Sequence, residues 1–436
     1  MRSSIEAHPL RPKIISLLQN CNIEESCFVD MLDYTIKLFN DNDMGVDYYG
    51  YHNIDHELEV TYVTLLAMLK KYQEGKVTKH ELKHLYVSAL LHDFDPSKNI
   101  DKPHEYAVLQ FVSTDDTMIK YLDQGSIDVN VISILILRTT YPWSGKNKVD
   151  ALSLIEGFFK KSNITNAEQK KHVLLLGNML SLTDRISTYA MSDFNHSMRR
   201  AKMNTHSLGW NLMWTVRRFV SYFETLLDER LSQEILKSLP KPMRRNFMGT
   251  VQSFISLRRK EIAIQADHIY ESLKMQPVIE QMNTRTDDDF ITTLKSLYDE
   301  LPLPLQFDKE NFENSVRNDN FIINTFRVGG PKGEVVGFAK GGPLEEYKFK
   351  QELNDVNNGL RNTIFLEPII MGKGYWGFRG TAMRNMFILQ ASSKEYVFLT
   401  SFGLRSDIEK KEVGYEAAEF VTKFDPERWD YYRITL

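Results

Sequence analysis

The sequence predicts a mainly α protein, with an all-helical region over residues 1–300 and a smaller α+β region over 321–436. Three observations point there. Thirteen of the 22 glycines lie after residue 320, and glycine is unfavourable inside helices but useful at turns. Apolar residues before residue 300 recur at helical spacing, whereas those after 320 form short runs between turn residues. Between the two lies Leu301-Pro302-Leu303-Pro304 and then a polar, acidic stretch to Asn320, which reads as a linker over 301–320.

The helices follow in order. Asn53 caps a helix to about Lys70, with Asp55, Glu57 and Glu59 near its positive end and Leu58, Tyr62, Leu65, Leu66 and Leu69 on one face. A second helix opens at Thr78, where Thr78 and Glu81 form a capping box. Further helices are expected at Ile127–Leu137, Ala151–Lys160, Glu168–Met191, Trp210–Leu236, Phe247–Met275 and Asp289–Glu300. Beyond the linker, Phe321–Val328, Glu334–Ala339, Thr363–Met371, Met386–Ala391, Tyr396–Ser401 and Tyr431–Leu436 read as strands. Leu344–Val356 and Glu412–Lys423 read as helices. No internal repeat stands out.

Composition excludes several classes. The chain has 436 residues, with 54 Lys plus Arg against 58 Asp plus Glu, for a net charge of -4. That balance excludes a histone-like nucleic-acid coat and an acidic tail protein. Hydrophobic residues at 42% are enough for a full core, which excludes disorder throughout. The only cysteines, Cys21 and Cys27, cannot make a disulfide framework for a chain of this length. With no apolar signal core and no run long enough to span a bilayer, a cytoplasmic protein without a membrane partner is expected.

The chemistry concentrates in three short segments. The first is Tyr51-His52-Asn53-Ile54-Asp55-His56, and the second is His92-Asp93 at the end of an apolar helix. The third is Leu182-Thr183-Asp184-Arg185-Ile186, with an aspartate inside an apolar helical run. A carboxylate aimed at a core is costly unless it is paired or binds a metal. Each segment alone also fits a paired or hydrogen-bonded core residue. All three together point to a divalent metal site, since imidazole and carboxylate suit Zn, Mn, Fe, Ni or Mg.

The ordered set His56, His92-Asp93 and Asp184 resembles the H…HD…D signature of the HD-domain metal-dependent phosphohydrolases over roughly residues 30–230. The Tyr-His-Asn-x-x-His form is closest to the cyclic-nucleotide phosphodiesterase branch. The resemblance implies that His56, His92, Asp93 and Asp184 ligate the metal and that Asp93 bridges a second ion where there is one. It implies that His52, its pKa raised by Asp55 or another carboxylate, protonates the leaving oxygen. It also implies that metal-activated water cleaves a nucleotide-type phosphoester, a phosphodiester ahead of a monoester. Pro96 stands where that branch has another histidine, and Arg138-Thr139-Thr140-Tyr141-Pro142 where it has Thr-Asp-Met. The resemblance thus leaves open one ion or two, and does not extend to cyclic-nucleotide specificity. Lys98, His104, Arg138 and Arg185 are the candidates for contact with substrate or phosphate.

Other features leave alternatives. His-Glu-Leu-Lys-His at 80–84 matches the zinc-protease pattern, but Glu81 belongs to the capping box and both histidines are expected on a solvated face with Lys83. Thirteen cations against four acids over residues 196–260 suggest a solvated face, a phosphate-attracting rim or a nucleic-acid track. Gly372-Lys-Gly374-Tyr-Trp-Gly377 has dinucleotide-loop spacing but reads as a loop between strands, with no long helix after it. The expected partner is a nucleotide-type small molecule. A catalytically degenerate nucleotide sensor and a nuclease using the basic helices are the alternatives. Residues 321–436 are expected to regulate, sense a ligand or form a homo-oligomer.

Overall fold

The computed structural model describes residues 8–46, 50–96, 104–207, 214–269, 275–349, 355–375, 380–404, 419–423 and 429–436. The chain is mainly helical, with a sheet in its C-terminal part. It divides into two compact units, Met1–Ser197 with Ser221–Gln252, and Met198–Val220 with Ser253–Leu436.

The first unit is helical in its described residues. It holds α1 (Arg11–Asn20), α2 (Ser26–Asp41), α3 (Ile54–Gln73), α4 (Lys79–Leu91), α5 (His104–Thr114), α6 (Asp116–Gly125), α7 (Val129–Leu137), α8 (Gly145–Lys161) and α9 (Ala167–Met191). The chain continues through α10 (Phe194–Ser207), α11 (Thr215–Asp228), α12 (Arg230–Ser238) and α13 (Lys241–Ile269). The helix starts obey capping chemistry. The side chains of Asn53, Thr78, Asp115, Asp128 and Asn166 each accept a backbone N–H from the first turn of α3, α4, α6, α7 and α9. Helix α4 lies at the centre of this bundle, packed against α2, α3, α7 and α9. Leu82, Leu85, Val87, Leu90 and Leu91 on it are all buried, each stabilising the fold by about 1.5–3 kcal/mol. Cys21 and Cys27 are buried free thiols, and burial pushes the Cys21 thiol up to about 11.

The second unit is built on one sheet. Its strands are β1 (Met275–Ile279), β2 (Ile322–Val328), β3 (Glu334–Pro343), β4 (Thr363–Leu366), β5 (Ile370–Met371), β6 (Phe398–Leu404), β7 (Glu419–Lys423) and β8 (Trp429–Thr435). The order is β1-β2-β3-β4-β6-β8-β7, with β5 pairing β3. All pairs are antiparallel except β4 with β6. That parallel pair requires a crossover, and α17 (Gly380–Ser393) supplies it. Alternate residues of β4 serve opposite faces. Ile364 and Leu366 join the core under α17, and Phe365 joins the aromatic cluster of Phe321, Tyr347, Phe402 and Tyr431. Three short helices complete the unit: α14 (Met282–Arg285), α15 (Asp288–Tyr298) and α16 (Phe312–Arg317).

The structure differs from the sequence-based expectation at several elements. The first 300 residues are not all helical, because Met275–Ile279 pairs antiparallel with β2. Trp210–Leu236 is not one helix: its described part breaks between α11 and α12 at Glu229. Met386–Ala391 lies in helix α17, since a short apolar run fits either a strand or a buried helix face. Leu344–Val356 forms only a 3-10 turn at Leu344–Glu346 in its described residues, and the described part of Glu412–Lys423 is strand β7. Residues 301–320 are folded into the second unit, with Phe312 and Val316 of α16 buried.

A buried charge cluster ties α16 to the sheet. Lys340 Nζ on β3 lies 2.6 Å from Asp308 Oδ2, 3.0 Å from Ser315 Oγ and 2.5 Å from Glu367 Oε1, with its side chain fully buried. The Tyr347 hydroxyl donates to Glu367 Oε1 at 2.7 Å. Removing the cation strands two buried carboxylates, so Lys340→Met is expected to destabilise the protein by about 3–5 kcal/mol. Urea unfolding checks this, and an unchanged midpoint contradicts it.

Candidate metal centre

Helices α3, α4 and α9 bring the four sequence-predicted ligands together. Asn53 Oδ1 accepts the His56 N–H at 3.1 Å, which fixes His56 in the first turn of α3. His92 is the C-cap of α4 and Asp93 follows it. Asp184 projects from the middle of α9. One ligand atom from each of these four residues lies within 4.8 Å of every other. His56 Nε2 is 3.1 Å from Asp184 Oδ1 and 3.4 Å from Asp93 Oδ2. His92 Nε2 is 3.1 Å from Asp93 Oδ2 and 3.7 Å from Asp184 Oδ1.

The donor set fits a divalent cation. Both imidazoles are fully buried, and His56 Nε2 and His92 Nε2 make no well-aligned hydrogen bond among the described residues. Two neutral nitrogens and two carboxylate oxygens converging this way satisfy the demand of Zn, Mn, Fe or Ni.

Sequence reasoning missed the residue that braces the site. Glu57, fully buried, accepts the backbone N–H of Asp93 at 2.9 Å through Oε1. Its Oε2 sits 2.8 Å from His92 Nδ1, whose proton is better aimed at the Ala89 carbonyl oxygen at 3.1 Å. With the proton on Nδ1, the Nε2 lone pair points into the site, the usual arrangement around metal-bound histidine. The only signal in the sequence was position. Glu57 follows His56, and its place near the helix N-terminus already had an explanation in the helix dipole.

The electrostatics hold protons on the two imidazoles and charge on the two aspartates. Burial alone would lower the His56 and His92 pKa values, but neighbouring carboxylates overcome it. His56 rises because the Asp184 and Asp93 carboxylates lie against it, and His92 rises further under the charges of Asp93 and Glu57. Burial would raise Asp184, but the His56 and His92 rings beside it bring it down to about 2. Asp93 falls well below the carboxylate range against the same burial, chiefly under the charges of His92 and His52.

The remaining candidates divide. His52 Nε2 lies 3.8 Å from Asp93 Oδ2, and its ring meets the rings of Tyr51 and His56. Asp55, offered as its partner, bonds His8 Nε2 at 3.0 Å. Arg138, the C-cap of α7, and Arg185 on α9 lie near each other. Lys98 lies outside the described residues, as does the side chain of His104, the first residue of α5.

The protease-like segment is explained without a metal. The Thr78–Glu81 capping box is present. His84 is buried, against the expected solvated face, because α4 is surrounded by helices. Its Nδ1 donates to the His80 carbonyl at 2.9 Å and its Nε2 accepts the Asp128 N–H at 3.0 Å. Burial lowers its pKa to about 4, which matches a neutral core imidazole. The glycine-rich segment also differs from expectation, since the 14-residue helix α17 follows it; residues 376–379 lie outside the described residues. The cations of 196–260 are shared between the two units, and several pair internally. Arg230 pairs with Glu234, Arg258 with Glu261 and the half-buried Lys202 with Glu300.

No family model matches the chain, and no curated protein matches it. Solved structures similar to part of it include two acetyltransferases. One is a protein of Acinetobacter baylyi ADP1 described as an acetyltransferase, at 16% identity and TM-score 0.26, covering 38% of this chain and 93% of its own. The other is an N-acetyltransferase of Staphylococcus aureus Mu50, at 16% identity and TM-score 0.22, covering 37% of this chain and 98% of its own. Likeness at that level carries no argument about fold or activity.

Two outcomes are expected. Glu57→Gln keeps the shape but removes the charge facing His92, so affinity for Zn or Mn should fall about 10–100-fold. Titration against a chelator measures it, and unchanged affinity contradicts the bracing role. Metal uptake must displace the imidazole protons. With the His56 and His92 pKa values held above 6.5, affinity should climb with pH through the neutral range. A flat pH profile contradicts the assignment.

Proposed function

We propose that the protein is a metal-dependent phosphohydrolase that cleaves a nucleotide-type phosphoester, with phosphodiesters favoured. The observation that carries this reading is the convergence of His56, His92, Asp93 and Asp184, with His52 beside them. A divalent ion held by those four residues supplies Lewis acidity toward a phosphoryl oxygen and lowers the pKa of water.

The chain's own groups do the rest. The ligand atoms are not sealed off, since the Asp93 and Asp184 side chains keep 12% and 19% of their exposure. The phosphoryl group approaches from that side. Glu57 and Ala89 fix the His92 tautomer. Asp93 Oδ2 faces His52 Nε2, so it steadies a protonated His52 ring. His52, with its side chain 15% exposed, delivers that proton to the leaving oxygen.

The test is a panel of phosphodiesters and phosphomonoesters assayed with Mn, Mg, Zn, Fe and Ni. Asp93→Ala should lose both bound metal and hydrolysis, and full hydrolysis by that variant overturns the reading. His52→Gln should retain metal. It should lose about 10²–10⁴-fold on alkyl esters, whose leaving group needs a proton, and much less on bis(p-nitrophenyl) phosphate. Equal losses on both remove His52 from the acid role.

A further inference from the structure

A second charged cluster stands one to two turns before Asp184 on α9. Arg138, the C-cap of α7, donates from Nη2 to Asn178 Oδ1 at 2.6 Å, and its guanidinium lies 4.1 Å from the centre of the Trp143 ring. Arg185 donates from Nε to the Ser181 carbonyl at 3.1 Å, which folds its side chain back along α9 toward the same place. Its Nη2 reaches Glu229 Oε2 at 3.7 Å, and Asn178 Nδ2 donates to Glu229 Oε1 at 3.4 Å.

The cluster has a surplus of cation. Among the described residues Glu229 is the carboxylate that pairs with Arg185 and whose charge reaches Arg138, and its side chain is 36% exposed. Burial, and then the Arg185 charge, lower the Arg138 pKa to about 10. An isolated like-charge pair is unfavourable.

The helix is shaped for the pair. Gly177 sits inside α9, where glycine is unfavourable. A Cβ there would come within 2.7 Å of Arg138 Cβ and 2.9 Å of its Cγ. The missing side chain is what lets the Arg138 stem lie against α9, with Asn178 and Trp143 then fixing the guanidinium plane. A rigidly held guanidinium presents paired N–H donors suited to a phosphate.

We propose that Arg138 and Arg185 form a subsite for a second, non-reacting phosphoryl group. The substrate class is then a phosphoester that carries a further phosphate across a sugar-sized spacer. The proposal rests on the phosphohydrolase reading for the identity of the reacting group. The spacing supports it. Residues 178–181 precede Asp184 by three to six positions, about 5–9 Å along the helix axis. The two phosphoryl groups of a nucleoside 3′,5′-bisphosphate are separated by a distance in that range.

Calorimetry on chelator-treated protein tests the subsite without turnover. Thymidine 3′,5′-bisphosphate should bind at least about tenfold more tightly than thymidine 5′-monophosphate, as charge-assisted hydrogen bonds imply. Arg138→Met should abolish that preference. Gly177→Ala should weaken it with both guanidiniums still present, and circular dichroism reports whether each variant is folded. Equal affinity of the wild type for the two nucleotides, or an intact preference in Arg138→Met, overturns the subsite. Release of nitrophenolate from thymidine 5′-(p-nitrophenyl phosphate), with and without a 3′-phosphate, separates the two claims. An Arg138-dependent bisphosphate preference with no release under any metal overturns the phosphohydrolase reading alone. Release with no such preference overturns the subsite alone.

Discussion

The buried Glu57 carboxylate holds the first unit's chemistry in place. It accepts the Asp93 backbone N–H and faces the His92 ring, so one side chain of α3 fixes two consecutive residues at the end of α4. Neither partner is dispensable to it. Burial drives the Glu57 pKa upward, and the His92 charge opposes that rise. An isolated buried carboxylate would be unfavourable, whereas this one sits against an ionisable ring and a backbone donor. The cost of burying it becomes geometric precision at the two ligands.

Helix α9 then carries two features on one rigid rod. Asp184 completes the ligand set, and about two turns earlier Gly177 admits the Arg138 stem. Polar pairs hold α9 in register with α3. Thr64 Oγ1 meets Thr183 Oγ1 at 2.7 Å, and the Thr188 hydroxyl donates to Glu59 Oε2 at 2.8 Å. Hydrogen bonds across a buried interface specify one alignment more sharply than apolar contact does. The second unit uses the same device at Lys340, where a buried cation on β3 joins Glu367, just past β4, to Asp308 and to Ser315 of α16.

The ligand set was legible because its residues break a pattern. Asp93 and Asp184 interrupt apolar helical runs, and His56 follows a recognisable cap. Glu57 was not legible, because an acidic residue in a first turn already satisfies the helix dipole. His84 was misplaced for a different reason. Helical periodicity finds one solvated face, and α4 has almost none. In the second unit, glycine content correctly announced strands, but Met386–Ala391 is helical and the described part of Glu412–Lys423 is a strand. Short apolar runs carry no period long enough to separate helix from strand, and pairing with a distant strand decides the matter. Strand β1 was hidden because its partner β2 lies more than 40 residues downstream.

Whether His56, His92, Asp93 and Asp184 hold an ion decides the chemistry of the first unit. The most direct measurement is anomalous X-ray diffraction from crystals grown with Mn or Zn at neutral pH. The expected result is one anomalous peak about 2.0–2.2 Å from His56 Nε2, His92 Nε2 and a carboxylate oxygen of each aspartate. Histidine–carboxylate contacts without a peak, under conditions that saturate an ordinary metal site, would contradict it.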